Sequence, residues 1–234
     1  MPRTNKLHGA SSCTPDRDFL PSDSGLLVHE RQCLDSGVLF VAGIDEAGRG
    51  CCAGPVVAAA VVFTDLTRIP DGVFDSKQLT ESERETLREK LLAEPTVRYA
   101  VAEVSAGEID ASDILRATWL AMRKALAGVI PPAQFALVDG NPVPDLPLPS
   151  RSIVQGDSKS ASIAAASILA KTHRDHLMRK AAEEYPDYAF EVHKGYCTKL
   201  HLERLEKYGP CPIHRKTFEP VRSILSPYEQ GHLF

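Results

Sequence analysis

The chain has 234 residues and a formal net charge of −4, with 43% hydrophobic and 25% charged residues. A chain of that size buries roughly 70–75% of its unfolded surface and builds a core without disulfides or a structural metal. No run approaches the roughly 18 apolar residues of a membrane span, and the two N-terminal cations precede no apolar stretch of signal-peptide length, so the reading is a cytoplasmic protein.

Charge is unevenly spread. Residues 1–150 hold 14 Lys and Arg against 21 Asp and Glu, whereas residues 151–222 hold 13 against 9. A locally basic stretch on an acidic protein can still grip phosphates. Six cysteines are scattered, at 13, 33, 51, 52, 197 and 211, with no C-x-x-C pair. Cys211 and His214 have half of a zinc-type spacing and no second half, so the cysteines read as reduced, structural or incidental rather than as metal ligands.

Taken in order, residues 1 to about 22 are polar and rich in Pro, Ser, Asp and Gly, and read as disordered. Leu26, Leu27, Cys33 and Leu34 fall near one face of a short helix. Val38 to Asp45 reads as a first strand, and the apolar, β-branched run Val56 to Phe63 as a buried second strand antiparallel to it. Thr80-Glu81-Ser82-Glu83 has capping-box spacing and opens a helix to about Glu94, stopped by Pro95. Tyr99 to Ser105 is a third strand. Glu108 to Leu126 is helical, with Ile109, Leu115, Trp119 and Met122 as core contacts, and Gly128 with Pro131-Pro132 ends it. Phe135 to Val138 and Ser152 to Gln155 are two short strands around a proline-rich loop. A long helix spans about Ser160 to Glu184, small and apolar in its first half. His193-Lys194-Gly195-Tyr196 is a loop, and Thr198 to Lys207 a further helix.

Three apolar strands end on acids: Asp45-Glu46, Asp139 and Asp157. Neighbouring residues of a regular strand point to opposite faces, so Asp45 and Glu46 share one site only if the strand breaks there, as the following glycines permit. Ligand sites in open α/β sheets gather at strand ends. Two unit charges 4 Å apart repel by roughly 4 kcal/mol at an effective dielectric of 20, so a cluster of carboxylates calls for protons or cations. All-oxygen donors favour Mg²⁺ or Mn²⁺ over zinc, and two such ions suit in-line attack of water on a phosphodiester. Each residue also has a plainer reading. Asp157 is placed to cap a helix, Asp139-Gly140 to make a turn, and Gly48-Arg49-Gly50 to close a hairpin.

The motifs Gly43-Ile-Asp-Glu-Ala-Gly-Arg-Gly50, Asp75-Ser-Lys-Gln-Leu79, Asp139-Gly-Asn141, Gly156-Asp-Ser158, Ala165-Ala-Ser-Ile-Leu-Ala-Lys171, Arg174-Asp175 and His193-Lys-Gly-Tyr196 stand in this order between about Val38 and Arg222. Together they closely resemble bacterial ribonuclease HII, the type 2 ribonuclease H. The resemblance implies an α/β, RNase H-like fold: a five-stranded mixed sheet flanked by helices, with a small C-terminal helical lobe. It implies hydrolysis of the RNA strand of RNA/DNA hybrids and incision 5′ to single ribonucleotides in duplex DNA, leaving 5′-phosphate and 3′-hydroxyl ends. By the family pattern Asp45, Glu46, Asp139 and Asp157 are the catalytic carboxylates holding two divalent ions, Mg²⁺ or Mn²⁺. The same pattern assigns Gly48, Arg49 and Gly50 to sensing the ribose 2′-hydroxyl, the group that distinguishes RNA from DNA. Lys77 resembles the family's phosphate-contacting lysine, and Tyr196 the family tyrosine that stacks on the sugar after the ribonucleotide. Asp175 is given a structural role beside Lys171, Arg174 or Arg179. Cys197 departs from the small residue or proline common after Gly195-Tyr196, which bears on oxidation sensitivity.

The division that follows is an extension over residues 1–37, a catalytic domain over 38–188, a helical lobe over 189–225 and a tail over 226–234. The terminal Gln230, Leu233 and Phe234 resemble the short peptides that dock in the bacterial sliding clamp, a frayed tail being the alternative. Two other functions share part of the pattern. A resolvase-like nuclease shares the acids but leaves Gly-Arg-Gly and Tyr196 unexplained, and a binding module without activity leaves the acids unexplained.

Overall fold

The computed structural model describes residues 25–73 and 79–226. Lys77 and the tail residues Gln230, Leu233 and Phe234 lie outside the described residues, as do the first 24 positions.

Five strands make one mixed sheet: β1 (Val41–Ala47), β2 (Val56–Phe63), β3 (Val97–Val104), β4 (Phe135–Asp139) and β5 (Ser150–Ile153), in the order β3-β2-β1-β4-β5. β1, β2 and β3 pair antiparallel, while β4 lies parallel to β1 and β5 parallel to β4. Every residue of β2 is buried, as its unbroken apolar run demands of a strand covered on both faces. Helices α1 (Val28–Asp35), α2 (Glu81–Ala93), α3 (Ala106–Asp110), α4 (Ile114–Ala127) and α5 (Ala161–Glu184) flank the sheet. The short α6 (Phe190–His193), α7 (Lys199–Tyr208) and α8 (Val221–Leu225) follow.

Period-two alternation along the strands divides the core. Val57, Ala59, Val61 and Phe63 face α2 and the alanine-rich half of α5. Ala42, Ile44, Ala58, Ala60 and Val138 face α4 through Ala121, Met122 and Ala125. α5 lies so close to β1 that a Cβ on Gly43 would collide with the Ser162 backbone. Its start is fixed twice. The Ser160 hydroxyl accepts from the Ile163 amide. The Glu30 carboxylate of α1 accepts from the Ser160 and Ser162 hydroxyls at 2.6 and 2.7 Å and from the Ser162 amide at 3.0 Å. A buried acid is favourable there because the unpaired amides of a helix N-terminus attract negative charge. α1 is thereby pinned to the element that backs the acids.

Several boundaries differ from the sequence reading, each for a local reason. β1 does not end on its acids; it stays paired through Ala47, and the break falls at Gly48, whose φ is +92°. The helix expected over Glu108 to Leu126 is two helices. A Ser105/Glu108 capping box starts α3, and the Asp113 carboxylate caps α4 by accepting from the Arg116 amide. Leu115, expected in the core, is exposed, while Ile109 and Met122 are buried. β5 lies two residues earlier than expected, because Gln155 takes a left-handed φ of 56°. The capping box at Thr80 is present as read. Among the described residues, no helix is long and apolar enough to cross a membrane.

Candidate active site

Parallel pairing of β1 with β4 aligns Ile44 with Val138, so the next step along each strand sets Asp45 beside Asp139. Both follow residues of the α4 face and so lie on the face that α5 covers. Asp45 is 7% exposed. Burial, reinforced by the charges of Glu46 and Asp139, holds its carboxyl well above the ordinary value, against the opposing Ser167 hydroxyl. One Asp45 oxygen accepts from the Glu46 amide at 2.7 Å. The Glu46 carboxyl is also raised, first by burial, with Arg49 opposing and Asp139 adding repulsion. Arg49 Nη1 donates to Glu46 Oε1 at 3.0 Å. Glu46 lines a cleft of about 280 Å³ with Gly48, Arg84, Asp157, Ser167, Lys171 and Tyr196.

Asp139 is tied to the segment carrying Asp157, because its Oδ1 accepts from the Gly156 amide. Asp157 sits in the 3₁₀ turn Gly156–Ser158, and Ser160, not Asp157, caps α5. The cap reading of Asp157 is thus set aside, and its side chain borders the cleft. Asp175 pairs with Lys171 one turn earlier on α5, in the structural role expected of it.

The loop from Gly48 to Gly54 departs from β1 into the protein and then emerges into β2. Its backbone is met by two buried arginines that the sequence reading gave no role at the site. Arg215 donates to the carbonyls of Gly48, Arg49 and Gly54 at 2.7, 2.9 and 3.0 Å. Arg174 donates to those of Ala53, Pro55 and Lys194 at 3.0, 2.9 and 2.8 Å. The Arg174 side chain also fills the space a Cβ on Gly48 would need, so glycine is required there by its neighbour as well as by its φ. Nothing in the Cys-Pro-Ile-His-Arg stretch marks Arg215, since loop residues carry no period to read.

Tyr196 stands at the cleft, 43% exposed, with the Arg174 guanidinium 6.0 Å from its ring centre. The Gly195 carbonyl accepts from the Cys52 amide at 3.0 Å, which joins the Tyr196 loop to the Gly48–Gly54 loop. The two are also joined covalently. Cys52 and Cys197 form a disulfide, with Cα atoms 6.0 Å apart across 145 positions of sequence. The sequence reading did not foresee this pair: it exists only once the fold has brought Gly195 against the loop after Gly50, while Cys33, Cys51 and Cys211 are free. Cys211 Sγ lies 3.2 Å from His214 Nδ1, a local contact inside a histidine cluster.

The ribonuclease HII family profile matches residues 42–221 of this chain. The chain belongs to the ribonuclease HII family. Ribonuclease HII 1 of Methylibium petroleiphilum is 53% identical over 187 residues, covering 80% of this chain and 93% of that protein. Among solved structures, the ribonuclease H2 of Pyrococcus horikoshii OT3 superposes with a TM-score of 0.69 at 30% identity, covering 82% of this chain and 99% of that one. The ribonuclease HII of Archaeoglobus fulgidus, solved as a PCNA complex, gives 0.67 at 28% identity, covering 77% and 96%. The chain is therefore a ribonuclease H, with the RNA/DNA-hybrid endoribonuclease activity of that family. The matched span holds Asp45, Glu46, Asp139, Asp157 and Tyr196, and stops short of the terminal Gln230, Leu233 and Phe234.

In this ribonuclease HII chain the loop carrying Tyr196 rests on a buried cluster. His193 stacks on His201, His201 Nε2 lies 3.0 Å from His214 Nε2, and Phe190 packs edge-on against His193 and His201. Burial pushes His201 and His214 from 6.5 down to about 4. The unfolded chain therefore binds protons that the folded chain refuses. The stability from these neutral imidazoles is complete above about pH 6.5 and is lost as pH falls through about 4. Urea unfolding should show a loss of roughly 2 kcal/mol for each of the two histidines between about pH 7.5 and about pH 5. The loss should be smaller in a His201→Gln/His214→Gln double variant; an identical slope in both proteins would refute this origin.

Proposed function

We propose that this ribonuclease H incises duplex DNA 5′ to single embedded ribonucleotides as well as cutting long hybrids, and that Asp45, Glu46, Asp139 and Asp157 are its catalytic acids. The observation that carries the reading is Asp45 buried beside Asp139, held above its ordinary range by burial and neighbouring negative charge. Such a pair is costly in isolation and becomes favourable opposite a positive charge.

The donor set suits a hard divalent cation such as Mg²⁺ or Mn²⁺, because all four groups offer carboxylate oxygen. Among the described residues, no group of three acid, imidazole or thiol side chains is gathered closely enough to hold an ion as it stands. The fit therefore rests on donor chemistry and on the repulsion an ion would relieve. When bound, a pair of such ions supplies an activated water and stabilises the leaving 3′-oxygen, giving 5′-phosphate and 3′-hydroxyl ends.

The chain's own groups do the rest. Gly48, Arg49 and Gly50 bring backbone to the ribose 2′-hydroxyl, exposed at Arg49 and Gly50, and Tyr196 stacks on the next sugar. Arg84 and Lys171 line the same cleft and offer positive charge to phosphates. Lys77 is assigned a further phosphate contact. Gln230, Leu233 and Phe234 are assigned to a sliding clamp, supported by the PCNA complex solved for the Archaeoglobus fulgidus relative.

Asp45→Asn should fold with unchanged or higher thermal stability, since it removes a repelled buried charge. It should bind hybrid within a few-fold of wild type and lose roughly 10³-fold or more in cleavage. Turnover near wild type in that variant would exclude Asp45 from catalysis. Deleting residues 230–234 should weaken binding to the clamp at least about tenfold and leave cleavage of free duplex unaltered; equal clamp affinity would end the tail assignment.

A further inference from the structure

Arg215 is a fully buried cation, yet among the described residues its guanidinium makes no ion pair; its hydrogen bonds go to three backbone carbonyls. A buried charge is expensive, and a well-packed apolar side chain is often as good for stability. Its placement is specific. Nη2 and Nη1 hold the carbonyls of Gly48 and Arg49, two consecutive peptides. Neither peptide is cis. In a trans peptide the C=O and N–H point opposite ways. Drawing both carbonyls inward onto Arg215 therefore turns the amides of Arg49 and Gly50 outward, where both residues are exposed. Among the described residues neither amide has an acceptor in the chain. The Phe218 ring, 5.1 Å from the Arg215 guanidinium carbon, helps hold the fork.

We propose that Arg215 is a positioning residue that sets ribonucleotide specificity: it presents the paired amides of Arg49 and Gly50 to the substrate sugar without touching substrate itself. This rests on the reading of Gly48-Arg49-Gly50 as the 2′-hydroxyl sensor. Arg174 fixes the other side of the same loop, filling the space beside Gly48. Lysine in place of Arg215 keeps the charge but loses the planar fork that reaches two carbonyls at once.

The test measures binding of full-length Arg215→Lys, with Ca²⁺ as the divalent ion, to two duplexes: one with a single embedded ribonucleotide and its all-DNA counterpart. Preference for the ribonucleotide duplex should fall about tenfold, the scale of two lost neutral hydrogen bonds from the Arg49 and Gly50 amides, while all-DNA affinity stays put. Amide resonances of Arg49 and Gly50 should shift as well. Phe218→Leu keeps the hydrogen bonds and loosens the fork, and should show the same change at smaller size; it also serves if Arg215→Lys does not fold. Unchanged preference in a folded variant, or equal weakening toward both duplexes, overturns the proposal. Wild-type protein binding both duplexes alike would instead overturn the sensor reading on which it rests.

Discussion

Six carbonyls between Gly48 and Lys194 face the interior, and two buried guanidiniums satisfy all six. That is the constraint on which the rest of the site depends. A loop cannot enter a protein core with its carbonyls unpaired. Here the partners come from α5 and from the segment before α8, so the loop between β1 and β2, the helix that backs the acids and the C-terminal residues form one unit. The amides of Cys52 and Gly54 complete it by donating to the carbonyls of Gly195 and Ile213, and the Arg215 amide donates back to Cys52. The Cys52–Cys197 disulfide crosses the same seam.

The acids obey a second constraint. Asp45 and Asp139 are neighbours because β1 and β4 run parallel in a fixed register, and a slip of one residue would turn either side chain to the opposite face. The close approach of α5, permitted by Gly43, excludes water from the sheet behind them and raises the Asp45 carboxyl. The acids gather at the ends of two interior strands, and Glu46 shares its cleft with Gly48, where the backbone is held open by arginine. In the proposed function the first feature supplies reactivity toward a phosphodiester, and the second the means to recognise a ribose.

How much of this could be read from the sequence depended on range. β2 was legible as an unbroken apolar run, and α2 from the Thr80/Glu83 pair, because both signals are local. Asp45, Glu46, Asp139 and Asp157 stood out through the apolar strands before them and through the family resemblance. The split at Asp113 was missed because a single Asx cap overrides a helical period that continues across it. β1 ran past its acids because pairing with β2 outweighed the expected glycine break. Arg215 and the Cys52–Cys197 pair were invisible for a different reason: their partners are more than 140 positions away, and only the finished fold sets the distance.

The central claim is that buried acids and a backbone sensor act together on a ribonucleotide junction. The most direct measurement compares cleavage of a DNA duplex carrying one ribonucleotide with that of the same duplex in all-DNA form, each with Mg²⁺ or Mn²⁺ and each with chelator. The account predicts a cut 5′ to the ribonucleotide, leaving a 5′-phosphate, only on the first duplex and only with the ion. Equal cutting of both duplexes, or cutting that survives the chelator, would contradict it.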